Sequence, residues 1–123
     1  MSVKSNVVLI VEDDEKLRDM YRKLLESVGY ICIVAPDGYQ GLEILSKNMN
    51  TIDLVLLDLV MPGIDGLEVL KAIKANPDKY GTMPIVILTS IINGTIVKEA
   101  FVLGALSYLV KTDIDEYISL SIS

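Results

Sequence analysis

Apolar positions along the chain fall into two alternating patterns. Five short runs are continuously apolar: VVLIV at Val7 to Val11, ICIVA at Ile31 to Ala35, LVLL at Leu54 to Leu57, IVIL at Ile85 to Leu88, and YLV at Tyr108 to Val110. Unbroken apolarity over four or five residues is what strands covered on both faces require. Between the runs the spacing becomes helical. Leu17, Met20, Tyr21, Leu24, Leu25 and Val28 form one stripe at i, i+3, i+4, i+7, i+8 and i+11, and Gly29 supplies the stop. Asp37 can cap a second helix whose Leu42, Leu45 and Met49 share a face, and Leu67, Leu70 and Ile73 mark a third that ends before Pro77. A fourth runs from about Thr95 through Ala100, Phe101 and Leu103 to Gly104. The last, after Thr112, is short, with Ile114, Tyr117 and Ile118 as its apolar positions.

Strand alternating with helix five times predicts an α/β fold. Its parallel strands are joined by right-handed crossovers, with helices on both faces of an open, doubly wound sheet. Such sheets bind ligands at the carboxyl ends of their strands, beside the point where strand order reverses. The residues just past each run are therefore the ones to read for chemistry.

Composition narrows the picture. A chain of 123 residues, 51% of them hydrophobic, suffices for one domain with a real core and is short for two. Residues 1–123 are accordingly expected to be a single domain. A net charge of -6, with Arg18 and Arg22 the only arginines, argues against direct nucleic-acid binding, which needs clustered cations. Cys32, the single cysteine, sits in an apolar run and reads as a small buried hydrophobe. The short apolar run before Glu12 is no signal peptide, and no segment approaches the roughly 20 apolar residues that span a bilayer. A cytoplasmic protein without membrane attachment is expected.

After the first run come Glu12, Asp13 and Asp14; after the third, Asp58; after the fourth, Thr89 and Ser90; after the fifth, Lys111. With the first strand central in the sheet, strands one and three are neighbours, which brings Glu12 and Asp13 close to Asp58. Gathered carboxylates repel and raise one another's pKa unless a cation joins them. Hard oxygen ligands with room for water suit magnesium, which takes one or two carboxylates and completes its octahedron with waters and phosphate oxygens. Lys111 supplies a point charge for a phosphoryl oxygen, and the Thr89 hydroxyl a further donor. Asp14 reads more simply as a helix N-cap. Asp58, an acid amid LVLL and LVM, is costly to bury without a partner or a task.

The ordered set LIVEDD, LVLLDLVMPGIDG, PIVILTS and GALSYLVK resembles the receiver domain of two-component response regulators, over nearly the whole chain. The resemblance implies a five-stranded flavodoxin-like sheet of order 2-1-3-4-5 flanked by five helices, with no output domain in this chain. It implies Asp58 as phosphoacceptor and a Mg2+ site from Glu12, Asp13, Asp58 and the Val60 carbonyl. It further implies Thr89 and Tyr108 as switch residues and Lys111 as the phosphoryl-contacting lysine. The donor would be a sensor histidine kinase or phosphotransfer protein, since the chain contains no histidine. A change of shape on the face of the fourth helix, fifth strand and fifth helix would reach an unknown downstream protein or domain. Such a protein signals; it catalyses its own phosphorylation and dephosphorylation and is not an enzyme acting on a separate substrate.

Three departures from the family pattern carry their own expectations. Thr112 stands where the family commonly has a cis proline after the lysine, so either the bond is trans with Lys111 displaced, or Thr112 caps the last helix. Val60 and Ile91, two residues after Asp58 and Thr89, are apolar and cannot orient a water, which predicts a long-lived phosphorylated state. The last helix carries Asp113, Asp115 and Glu116 without arginine, which does not favour a symmetric charged dimer on that face. Of the competing classes, a flavodoxin-like electron carrier needs a phosphate-cradling loop where EDDE would repel one. A haloacid-dehalogenase-type phosphatase needs an aspartate at Val60. A receiver-like interaction module that signals without phosphate is the remaining alternative.

Overall fold

The computed structural model describes residues 6–90 and 94–111. Five strands, β1 (Val7–Val11), β2 (Ile31–Ala35), β3 (Leu54–Asp58), β4 (Ile85–Thr89) and β5 (Ser107–Val110), form one parallel sheet in the order β2-β1-β3-β4-β5. Five described helices connect them: α1 (Glu15–Ser27), α2 (Gly38–Asn48), α3 (Gly66–Ala75), the single turn α4 (Pro77–Tyr80), and α5 (Gly94–Val102). None of the described helices is long and apolar enough to cross a membrane.

The core divides by the period-2 alternation of the strands. Leu9, Val11, Val55, Leu57, Ile85 and Ile87 face α2, α3 and α5, where Leu42, Leu45, Met49, Leu67, Leu70, Ile73, Ile96, Ala100 and Leu103 pack on them. Val8, Ile10, Leu56 and Leu88 face the other way and are met by Leu17, Tyr21 and Leu25 of α1. Helix starts match the caps expected from the sequence: Asp14 accepts from the Leu17 amide at 3.1 Å and Asp37 from the Gln40 amide at 2.8 Å. Asp65 does the same for α3 through Glu68, at 2.9 Å.

Several expectations are corrected. Runs two and five are edge strands, so Ile31, Val34, Tyr108 and Leu109 are exposed rather than covered on both faces. Val28 ends α1 as its C-cap residue and is exposed, because the stripe runs out where the helix does. Phe101 is on the outer side of α5, 43% exposed, while Ala100 beside it is buried. The third helix does end before Pro77, at Ala75, and Pro77 in addition opens the next turn at a position where its missing N–H is not needed. The expected last helix, with Ile114, Tyr117 and Ile118, lies outside the described residues, as do Ile91 and the Lys111–Thr112 bond.

Candidate functional site

Strand register builds the site. Val11 pairs with Leu57 across β1 and β3, so Glu12 and Asp58, each one step further, stand side by side. The same alternation that places Ile10 and Leu56 on the α1 side of the sheet places both acids there. Both are fully buried: Glu12 is 0% and Asp58 1% exposed. Asp13, the next residue along, is exposed, yet Glu12, Asp13 and Asp58 each present an oxygen within 4.8 Å of the others'.

Asp58 owes its position to a glycine. The Gly66 amide donates to the Leu59 carbonyl at 2.9 Å, folding the first turn of α3 back over the end of β3. A Cβ at Gly66 would lie 2.2 Å from the Asp58 carbonyl oxygen and 2.6 Å from the Leu59 Cα, so this approach requires its absence. The side chain is then fixed at both oxygens: Oδ1 accepts from the Val60 amide at 3.2 Å, and Oδ2 lies 3.0 Å from Lys111 Nζ.

Lys111 reaches in from the end of β5. Its Nζ is also 2.6 Å from Glu12 Oε1, so one ammonium bridges the two buried carboxylates. Thr112 in place of proline therefore leaves Lys111 in the site rather than displaced from it. Thr89, buried at the last position of β4, pairs with Val110 and so ends next to the Lys111 strand. Tyr108 is the residue the structure does not bring to the cluster. Its ring is 41% exposed and meets Phe101 edge-on, with centroids 6.0 Å apart and planes at 78°.

Burial pushes the Glu12 carboxyl up to about 8, with Asp58 adding to the rise and Lys111 opposing it. Burial also raises Asp58, against the pull of Glu12 and Lys111. For Asp13, burial acts upward but hydrogen bonding with Glu12 and Asp58 outweighs it, and its pKa falls. Lys111 is raised because its two carboxylate contacts outweigh burial. The three acids share hydrogen bonds and charge, so the protonation of each depends on that of the others.

That donor set fits a divalent metal. Three carboxylates face one ammonium, and that ammonium is what meets the buried Glu12 Oε1 and Asp58 Oδ2. The cluster opens through exposed Asp13 and Val60, where waters or phosphate oxygens can complete a hard-ion coordination shell. Two contributors carry weak sequence signals. Gly66 reads as turn punctuation in IDG, and its close approach to a strand end is visible only once β3 and α3 are placed. Arg18, whose Nη1 donates to the Glu12 carbonyl at 3.0 Å, is an ordinary surface residue of an amphipathic helix until the β1–α1 loop is built.

A family model for the response regulator receiver domain matches residues 8–120. The chain belongs to the response regulator receiver family. This receiver domain is 36% identical over 110 residues to the sporulation initiation phosphotransferase F of Bacillus subtilis, covering 89% of this chain and 85% of that one. It is 34% identical over 119 residues to the DNA-binding transcriptional regulator NtrC of Escherichia coli, covering 96% of this chain but only 24% of NtrC. Among solved structures it is similar to the Mn2+-bound form of the response regulator Rcp1, with TM-score 0.77, 31% identity, and coverage of 92% and 88% of the two chains. Receiver domains are signalling modules of two-component systems, and that class holds for this chain.

Proposed function

We propose that this receiver accepts a phosphoryl group on Asp58 from a phosphohistidine of a sensor kinase or phosphotransfer protein. The observation that carries the reading is the convergence of Glu12, Asp13, Asp58 and Lys111 from three strand ends on one partly open point. An Asp58 carboxylate oxygen attacks phosphorus as the bond from phosphorus to the imidazole nitrogen breaks, leaving an acyl phosphate and a neutral histidine on the donor. The Val60 amide and Lys111 hold the two Asp58 oxygens, so the nucleophile is oriented before the donor arrives.

Lys111 lies close enough to follow the transferred oxygens, and its ammonium offsets charge as it builds on them. Glu12, Asp13, Asp58 and the Val60 carbonyl would hold Mg2+. Bound there, the ion would neutralise phosphoryl charge. Phosphorylation replaces one negative charge by about two. Thr89, at the neighbouring strand end, is the hydroxyl placed to answer that change. Movement there shifts the balance between outward and inward positions of Tyr108 and reshapes the face of α5 and β5. The apolar Val60 side chain offers no hydrogen bond to a hydrolytic water, which favours slow loss of the phosphoryl group. That face would then signal to a downstream protein or domain.

The test is intact-protein mass after incubation with acetyl phosphate, with and without Mg2+. Mg2+-dependent gain of one phosphoryl group is the expected outcome. No gain, together with no Mg2+ binding, would instead leave a receiver-like module that signals without phosphate.

A further inference from the structure

The Glu12 and Asp13 carboxylates hang from the two ends of one peptide unit, and the Glu12 carbonyl lies in the plane of that unit. The preceding peptide unit is held by the sheet, the Glu12 N–H donating to the Ala35 carbonyl at 3.1 Å. The Glu12–Asp13 unit is planar and can pivot only about the Glu12 Cα–C bond, so fixing its carbonyl oxygen fixes how Asp13 is presented relative to Glu12. That oxygen accepts from Arg18 Nη1 at 3.0 Å. Arg18 is in the first turn of α1, its own amide bonded to the Asp14 carbonyl at 2.9 Å, and helix side chains lean toward the N-terminus. Its guanidinium thereby reaches back over the cap to the strand end.

We infer that Arg18 is a positioning residue for the divalent-cation site: its hydrogen bond to the Glu12 carbonyl sets the peptide plane that aims the Asp13 carboxylate relative to that of Glu12. The inference rests on the reading of those acids as metal ligands. The sign of the expected effect is unusual. Arg18 is a cation beside an acidic pocket, and by charge alone its removal should tighten Mg2+ binding a few-fold. If it positions the ligands, its removal loosens binding, by about tenfold, as for other hydrogen bonds that orient metal ligands.

The experiment is calorimetric titration of Mg2+ into the full chain for the wild type, Arg18→Met, Arg18→Lys and Lys16→Met. Lys16→Met serves as the charge control, removing an exposed cation from the same helix. Thermal melts establish that each variant is folded. Weaker binding in Arg18→Met, tighter or equal binding in Lys16→Met, and partial recovery in Arg18→Lys is the expected pattern. In the metal-free protein, the Asp13 amide should also gain fast backbone motion by 15N relaxation in Arg18→Met, which a pure charge effect would not produce. If Arg18→Met does not fold, Arg18→Lys decides: it keeps the charge, so weakened binding there supports the clamp and wild-type binding overturns it. Equal or tighter Mg2+ binding in folded Arg18→Met overturns the clamp while leaving the metal site standing. A wild type that binds no Mg2+ overturns the site, and the clamp with it.

Discussion

Asp53 and Asp58 bracket the same strand, and the two ends of β3 use the same side chain in opposite ways. Asp53, just before the strand, clasps Val7: its Oδ2 accepts from the Val7 amide at 2.8 Å, and its own amide donates to the Val7 carbonyl at 2.8 Å. It acts as an extra rung of the β1–β3 ladder. Asp58, at the last position, lies with two further acids and has one ammonium for company. The difference arises from the segments that leave the neighbouring strands, because parallel strands collect their carboxyl ends on one side. Each such segment can add a group there, whereas at the other end Asp53 meets backbone.

Exchange of one atom at each end should separate the two acids most sharply. Asp58→Asn should abolish phosphoryl gain by intact mass, whereas Asp53→Asn should accept at close to the wild-type rate; phosphoryl gain in Asp58→Asn would move the nucleophile elsewhere. Gly66→Ala should come next, destabilising by about 3 kcal/mol because the added methyl meets backbone that has little room to shift. Its phosphoryl acceptance should fall as well. Gly38→Ala is the control, because its Cβ would meet the Ile64 and Val69 side chains instead, at 2.5 and 2.6 Å, so it should lose stability but keep acceptance.

The pH dependence sharpens the contrast further. Glu12 has a folded-state pKa of about 8 against 4.5 for the ordinary side chain, so the folded state binds more protons between those values. Stability of the metal-free protein should therefore fall as pH rises from about 5 to 8. Glu12→Gln should flatten that slope in thermal melts. A wild type whose melting temperature climbs over that range would mean that Lys111 alone keeps the acids ionised. The smallest effect belongs to the other end of the strand: Asp53→Ala should lose about 1 kcal/mol, the net value of one hydrogen bond, with no dependence on Mg2+.

Much of this is legible in the chain. Continuous apolar runs give the strands, and the 3.6-residue stripes give the helices on the two faces. The motif order places Glu12, Asp13, Asp58, Thr89 and Lys111 at strand ends. Hydrophobicity does not say which strands lie at an edge, so by sequence β2 and β5 look as buried as β1. Nor does it say where a stripe outruns its partner, so Val28 and Phe101 look like core. Pro77 marks the end of α3 correctly, but the turn that it opens is too short to leave a periodic signal. Gly66 and Arg18 are hidden for a shared reason: each acts on a backbone carbonyl, and backbone geometry leaves no compositional trace.

Two edge strands close this sheet, and they are fastened differently. β2 offers apolar side chains, ladder hydrogen bonds and the Cys32 thiol donating to the Arg22 carbonyl at 3.8 Å, whereas β5, also an exposed edge, is followed directly by an ammonium that faces two buried carboxylates. Fraying of β5 would strand those charges in a dry interior, so opening this margin carries an electrostatic cost that opening β2 does not. Whatever binds or neutralises the acids in its stead releases the strand from that duty. The rim of the sheet thus becomes a reporter of what occupies its centre.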